Sequence, residues 1–219
     1  YDVSAHELIP YLTTLHCLDR AKQWYYVAIM MDLPPQLPII EQLLPYQHLL
    51  ESRSASQIDL VVIHCTELPD LAMARQYGEI SHYPNGTGNS GHYYIDRDGT
   101  VYLYVKPEQT ANHTRGYNPR SIGIEIVNTG RYPEWFNSKN QFMNEAYSKE
   151  QITSVKALLK QLKKQYSQLS LIAGHEDLDT AQVPASDNPE QYVFRKRDPG
   201  PQFPWPEVLI ETELTYLKP

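Results

Sequence analysis

The sequence predicts the α/β (α+β) class: a mixed central β-sheet flanked by helices, with an N-terminal helical extension over residues 1–57 and a main domain over 58–219. Three observations lead there. Apolar, β-branched runs of strand length stand at 58–65, 121–128 and 169–174. A strongly amphipathic helix at 148–168 separates the second from the third. Before them all lies a segment with helical spacing and a proline-rich break.

In that first segment Leu8, Leu12, Leu15 and Leu18, then Val27, Ala28 and Met31, recur three or four apart, as on a helix face. "DLPPQLP" (32–38) breaks the pattern, "IIEQLLPYQHLL" (39–50) suggests a short second helix, and "ESRSAS" reads as a loop. "IDLVVIHC" (58–65) reads as a buried strand with His64 at its end. "HYYIDRDGTVYLYV" (92–105) holds two apolar runs about Asp98-Gly99, the pattern of a hairpin. "SIGIEIVN" alternates, with Ile122, Ile124 and Ile126 on one face and Gly123, Glu125 and Val127 on the other. In "SKEQITSVKALLKQLKKQYSQ" Ser148 and Gln151 fit a capping box, and Ile152, Val155, Leu158, Leu159, Leu162 and Tyr166 form one stripe. "LSLIAGHEDL" is a last short strand that stops at Gly174-His175.

Composition bounds the function. The 219 residues suffice for one sizeable core, and a net charge of −7 argues against a nucleic-acid partner. No run approaches the ~18 apolar residues of a membrane span. Cys17 and Cys65 are far apart and outside any CxxC pair, so no disulfide framework is expected. Tyrosine is abundant, 17 against 4 phenylalanines, a bias that suits amphipathic packing and polar ligands alike. A first residue of Tyr rather than Met implies that an upstream segment was removed, and the expected setting is a bacterial periplasm or envelope, with the cytoplasm as the alternative.

Candidate chemistry gathers at the strand ends. His64 and His175 could reach one rim of the sheet. Asp198 sits in the stiff turn "FRKRDPGPQFPW" (194–205) directly after Arg195, Lys196 and Arg197. Two readings of that turn stand side by side: Asp198 pairs with the cations, or it is a metal ligand with a catalytic cation held beside it. Two histidines and an aspartate with one open position make a sensible catalytic zinc set. Glu125 is the lone charge in an apolar strand, costly to bury unless paired or used. Spacing alone leaves the choice open, since the residues are scattered and no HExxH pair is present.

Five motifs in order add a resemblance: "VVIHCTE" (61–67), "GHYYIDRDGTVYLYV" (91–105), "ANHTRGYNPRSIGIEIVN" (111–128), "AGHEDL" (173–178) and "KRDPGPQFPW" (196–205). Over about residues 58–206 the chain resembles zinc-dependent N-acetylmuramoyl-L-alanine amidases of the type 2, AmpD/AmiD-like family. These share a fold with phage lysozyme-type amidases and peptidoglycan recognition proteins. The resemblance implies one zinc ion on His64, His175 and Asp198, with Glu125 as catalytic carboxylate and Lys196 as catalytic lysine. It implies a groove lined by His113, and substrate contacts from Asn112, Arg115, Asn118 and Arg120. The implied substrate is peptidoglycan or a muropeptide, cut between the lactyl group of N-acetylmuramic acid and L-alanine. The chain departs from the pattern twice: Asn112 stands where the family carries tryptophan, and Gly91 where phage enzymes carry tyrosine. A non-catalytic muropeptide-recognition module and a zinc peptidase of other specificity are the alternatives. The complete set of five site residues favours catalysis over recognition.

Overall fold

The structure, a computed structural model, describes residues 36–218. The helical spacing at residues 8–31, with Trp24, Tyr25 and Cys17, lies outside the described residues. From Leu37 the chain forms one compact unit. Its strands are β1 (Ile39–Glu41), β2 (Leu60–Cys65), β3 (Tyr93–Ile95), β4 (Val101–Leu103), β5 (Ser121–Ile126), β6 (Leu171–Gly174), β7 (Gln182–Pro184), β8 (Tyr192–Phe194) and β9 (Thr215–Tyr216). Its helices are α1 (Leu71–Glu79), α2 (Lys149–Gln165), α3 (His175–Leu178) and α4 (Trp205–Thr212). Seven strands make one sheet in the order β1-β4-β3-β5-β2-β6-β9, and β7 and β8 form a separate ribbon. The sheet is mixed: β3 and β4 are antiparallel, whereas β3-β5, β5-β2 and β2-β6 are parallel.

The centre follows the sequence closely. β2 is buried along its whole length, as a continuous apolar run requires. Gly99 takes φ +84° in the β3–β4 turn, where Thr100 N donates to Asp98 Oδ1 at 2.8 Å. Ser148 and Gln151 close both arms of the α2 capping box at 3.0 Å. Ile152, Val155, Leu158, Leu159, Leu162 and Tyr166 are all buried against Val61, Ile63, Ile122, Ile124 and Ile126. Trp205 packs edge-on between Phe203 and Tyr216, at 4.6 Å from each ring, below the turn that carries Asp198.

The expected helix at 39–50 is absent, and with it the boundary at 58. Residues 39–41 pair in parallel with β4, and only a single 3-10 turn, Gln47–Leu49, follows. Pro38 and Pro45 explain this, because each disfavours helix at the residue before it and supplies no N–H of its own. Leu44, Tyr46 and Leu50 are buried all the same, in a second apolar cluster with Tyr94, Tyr104 and Ala74 of α1. No helix of the described residues is long and apolar enough to cross a membrane.

Candidate metal centre and cleft

Parallel pairing places the site. In a parallel ladder, residues in register share a face, and here His64 stands opposite Glu125. On the other side Ile63 pairs with Gly174, so the chain leaves β6 into His175 directly beside His64. The row Glu125–His64–His175 therefore lies across the carboxyl ends of three parallel strands, where open α/β sheets bind their ligands. Ile63, Ile124 and their neighbours face α2 on the other side. Cys65 alternates away from His64 and is buried, and burial drives its thiol pKa well up.

The turn after β8 brings Asp198 to this row. His64 Nδ1 lies 2.9 Å and His175 Nδ1 3.0 Å from the same oxygen, Asp198 Oδ2. All three residues are buried and offer one donor atom each within 4.8 Å of one another. Asp198 Oδ1 is buried without a hydrogen-bond partner. Burial opposes the Asp198 charge, but the imidazoles of His175 and His64 hold its carboxyl well below the usual range. Burial also lowers the His175 pKa, against the pull of Asp198. The pair thus rests as carboxylate and neutral imidazole, the forms that ligate a cation. Two nitrogens and one oxygen converging with a spare buried carboxylate oxygen fit the donor chemistry of catalytic zinc.

A hydrogen-bond chain runs from Ser121 through His113 to His64. Ser121 Oγ donates to the Tyr117 carbonyl at 2.8 Å, so it accepts from His113 Nε2 at 3.2 Å. His113 Nδ1 is then an acceptor, with His64 Nε2 at 3.0 Å and Thr114 Oγ1 at 2.9 Å both in reach. His64 Nδ1 is the nitrogen that faces Asp198 and the centre, at 2.9 Å from Asp198 Oδ2. Gly123 makes room for this: a Cβ there would come within 2.7 Å of His113 Cγ.

Glu125 Oε1 stands 4.0 Å from His64 Nδ1. Burial pushes its carboxyl up to about 7, with His64 pulling the other way. A Cβ on Gly91 would reach Glu125 Cγ at 2.8 Å, so the bare glycine gives the carboxylate its space. Lys196 lines the same cleft of about 570 Å³ and makes no ion pair among the described residues. Of its neighbours, Arg195 pairs with Asp179, and Asp198 is taken by the histidines. Among the described residues Asp198 makes no ion pair with Arg195, Lys196 or Arg197, and its close partners are His64 and His175.

The expected substrate contacts divide. Arg115 is exposed and lines the cleft. Asn112 lines it too, but its amide donates to Gly88 O at 3.1 Å and Thr87 Oγ1 at 3.4 Å, across to the loop after α1. Asn118 Oδ1 accepts from the His113 and Thr114 amides at 3.1 and 2.7 Å, bracing the loop it belongs to. Arg120 corrects the expectation: it grips both carboxylate oxygens of Asp59 before β2 and takes no part in lining the cleft. His82 is exposed and also outside the lining.

Three groups went unnoticed in the sequence. Buried Arg53 binds the Pro107, Asn118 and Ser121 carbonyls at 2.7–2.8 Å, underpinning the His113 loop. Buried Arg131 forms a two-armed ion pair with Glu67 at 2.6 and 2.8 Å and reaches the Phe194 carbonyl at 2.9 Å, locking the approach to Lys196. Tyr77 and Tyr83 line the cleft. The only signal for any of them was the position of Glu67 inside "VVIHCTE".

Known structures share this architecture. The endolysin N-acetylmuramoyl-L-alanine amidase LysCS of Clostridium intestinale aligns with a TM-score of 0.59 and 21% identity, over 83% of this chain and 99% of its own. AmpDh3 of Pseudomonas aeruginosa aligns with a TM-score of 0.54 and 26% identity, over 72% of this chain and 60% of its own. The amidase AmiD of E. coli, in complex with anhydro-N-acetylmuramic acid-L-Ala-D-gamma-Glu-L-Lys, aligns at 0.54 and 22% identity, over 71% and 57%. No curated protein matches the chain. Residues 54–201, more than half of the sequence and all of the residues that build the cleft, match the family described as N-acetylmuramoyl-L-alanine amidase, and the chain belongs to that family of enzymes.

Proposed function

We propose that this enzyme, carrying one zinc ion on His64, His175 and Asp198, hydrolyses the amide between the lactyl group of N-acetylmuramic acid and the L-alanine of the stem peptide. The observation that carries the reading is the convergence of two imidazole nitrogens on one oxygen of Asp198, beside Glu125 and inside an open cleft. Zinc in that position would supply a Lewis acid and a bound water with its pKa lowered to roughly 7. Glu125 accepts the proton of the attacking water on its carboxylate and returns it to the leaving alanine nitrogen. A carboxyl pushed to about 7 by burial suits both halves of that task. Lys196 holds positive charge toward the amide oxygen as it becomes anionic. Arg115 meets the carboxylates of the stem peptide, since a guanidinium matches a planar acid.

The bound ligands of two relatives support this substrate class: AmpDh3 was solved with an anhydromuramic pentapeptide and AmiD with an anhydromuramyl tripeptide. A bacterial periplasmic or envelope setting belongs to the same reading, because the polymer lies there. The test is digestion of muropeptides with and without a zinc chelator, the products being weighed by mass spectrometry. Free stem peptide that disappears with chelator and returns with added zinc is the expected result. Binding without cleavage would replace catalysis by recognition, and a cut inside the peptide would replace the amidase by a peptidase.

A further inference from the structure

The cleft has two chemically different walls. The cations of its lining, Arg115, Arg195 and Lys196, all come from segments other than α1 and the loop after it. On the side of α1 and the loop after it, the described residues between 74 and 94 give the cleft only neutral side chains, among them Tyr77, Tyr83 and Asn89. Both tyrosines are half exposed, at 47% and 44%, while Tyr94 beneath them is buried at 4%.

That wall is held in place before any ligand arrives. Thr87 O accepts from the His82 and Tyr83 amides at 2.9 and 3.0 Å, and Gly86 N donates to Tyr83 O at 2.9 Å, closing a tight loop. Tyr83 Oη donates to Asn89 Oδ1 at 2.8 Å, which commits the amide oxygen and leaves the Asn89 N–H groups as donors. Tyr46 Oη anchors the end of α1 through the Gly78 carbonyl at 2.6 Å. Asn112 ties the loop to the cleft floor through Gly88 and Thr87. The residue that stands in the place of a tryptophan is thus a strut for the tyrosine loop.

We propose that Tyr83 and Tyr77, with Asn89, form the subsite for the N-acetylated muramyl sugar, leaving the cationic wall to the carboxylates of the stem peptide. The inference rests on the amidase reading and assigns the two halves of its substrate. A pyranose ring offers a face of C–H bonds that packs on an aromatic ring, and its acetamido carbonyl accepts from an amide N–H. Charged peptide carboxylates gain nothing on a neutral aromatic wall and are matched on the other side.

The experiment compares Tyr83→Ala with wild type on two substrates: a muramyl peptide, and an N-lactoyl-L-alanyl peptide that keeps the scissile amide and lacks the sugar. Loss of a stacking partner predicts a KM about three- to tenfold higher on the muramyl peptide, with the lactoyl peptide within about twofold. Tyr83→Phe keeps the ring and retains most of the affinity, and Asn112→Ala shifts KM in the same sense as Tyr83→Ala. An unchanged KM on the muramyl peptide overturns the proposal, as does an equal rise on both substrates, which would put the peptide on this wall. If wild type cleaves neither substrate the amidase reading itself fails. Titration calorimetry with N-acetylmuramic acid then still decides the wall, through weakened binding in Tyr83→Ala or the lack of it.

Discussion

Glu125 sits 4.0 Å from a histidine nitrogen with its charge disfavoured by burial, which suits the proton-carrying role proposed for it better than that of an ion-pair partner. Replacing it with glutamine keeps shape and removes basicity. Glu125→Gln is expected to lower kcat by about 10²–10⁴ with zinc content unchanged, checked by turnover and metal analysis on one sample. Lys196→Ala is expected to lower kcat by about 10²–10³, again without loss of metal. His113 behaves differently, because it acts through His64. His113→Ala should weaken zinc binding by about 10–100-fold, measured by competition with a chromophoric chelator. Glu125, His64, His175 and Asp198 stood out in the sequence as a charge in an apolar strand, two histidines at strand ends and an acid locked in a proline turn, but their spacing left the roles open and only the resemblance joined them into one set. Arg120 misled because its partner, Asp59, lies in another segment, and no pattern in "GYNPRS" points there. The bond from His113 to Ser121 is a tertiary fact of the same kind.

At the scale of elements, β5 carries more than its pattern of isoleucines suggests. Its Gly123 is flanked by His113 on the cleft side, so even one methyl group intrudes. Gly123→Ala is expected to cost about 1–3 kcal/mol in urea unfolding and to weaken zinc binding as well, by pushing His113 off His64. A Gly91→Ala change should resemble Glu125→Gln more than it resembles this one, since it crowds the carboxylate. Strand and helix assignments were legible wherever period and capping agreed, as in α2 and the β3–β4 hairpin. They failed at 39–50, where the apolar count is that of a helix but two prolines fix the backbone, so the same leucines reach the core from a strand and a turn. Arg53 and Arg131 went unnoticed in the sequence and are buried carbonyl clamps, a role that only the folded loops around them define.

For the molecule as a whole, stability should depend on both metal and acid. The proposed ligands come from three distant chain segments, and a ligand that binds only the folded state stabilises it by mass action. Metal-free protein is expected to melt at lower temperature than the zinc form, with a midpoint that rises with free zinc. Glu145 gives the acid limb. Burial opposes its charge, yet Thr129, through its amide and hydroxyl at 2.6 and 2.5 Å, and Arg97 at 2.8–3.0 Å hold its pKa below the usual carboxylate value. A depressed folded-state pKa means stability present above the unfolded value and lost as pH falls through the folded one. Scans of melting midpoint against pH should therefore show wild type ahead of Glu145→Gln near neutrality. That lead should shrink as the pH drops into the acid carboxylate range.

The row Glu125–His64–His175 is set by strand register, and register has no half-steps. One extra residue inserted within β2 ahead of His64 would turn the histidine toward α2 and bring a neighbour's apolar side chain into the cleft. Two extra residues would restore the face while shifting His64 along the strand. The fold thus treats length at this strand as a parity: odd insertions exchange core for site, and even ones return the histidine to the face its partners share.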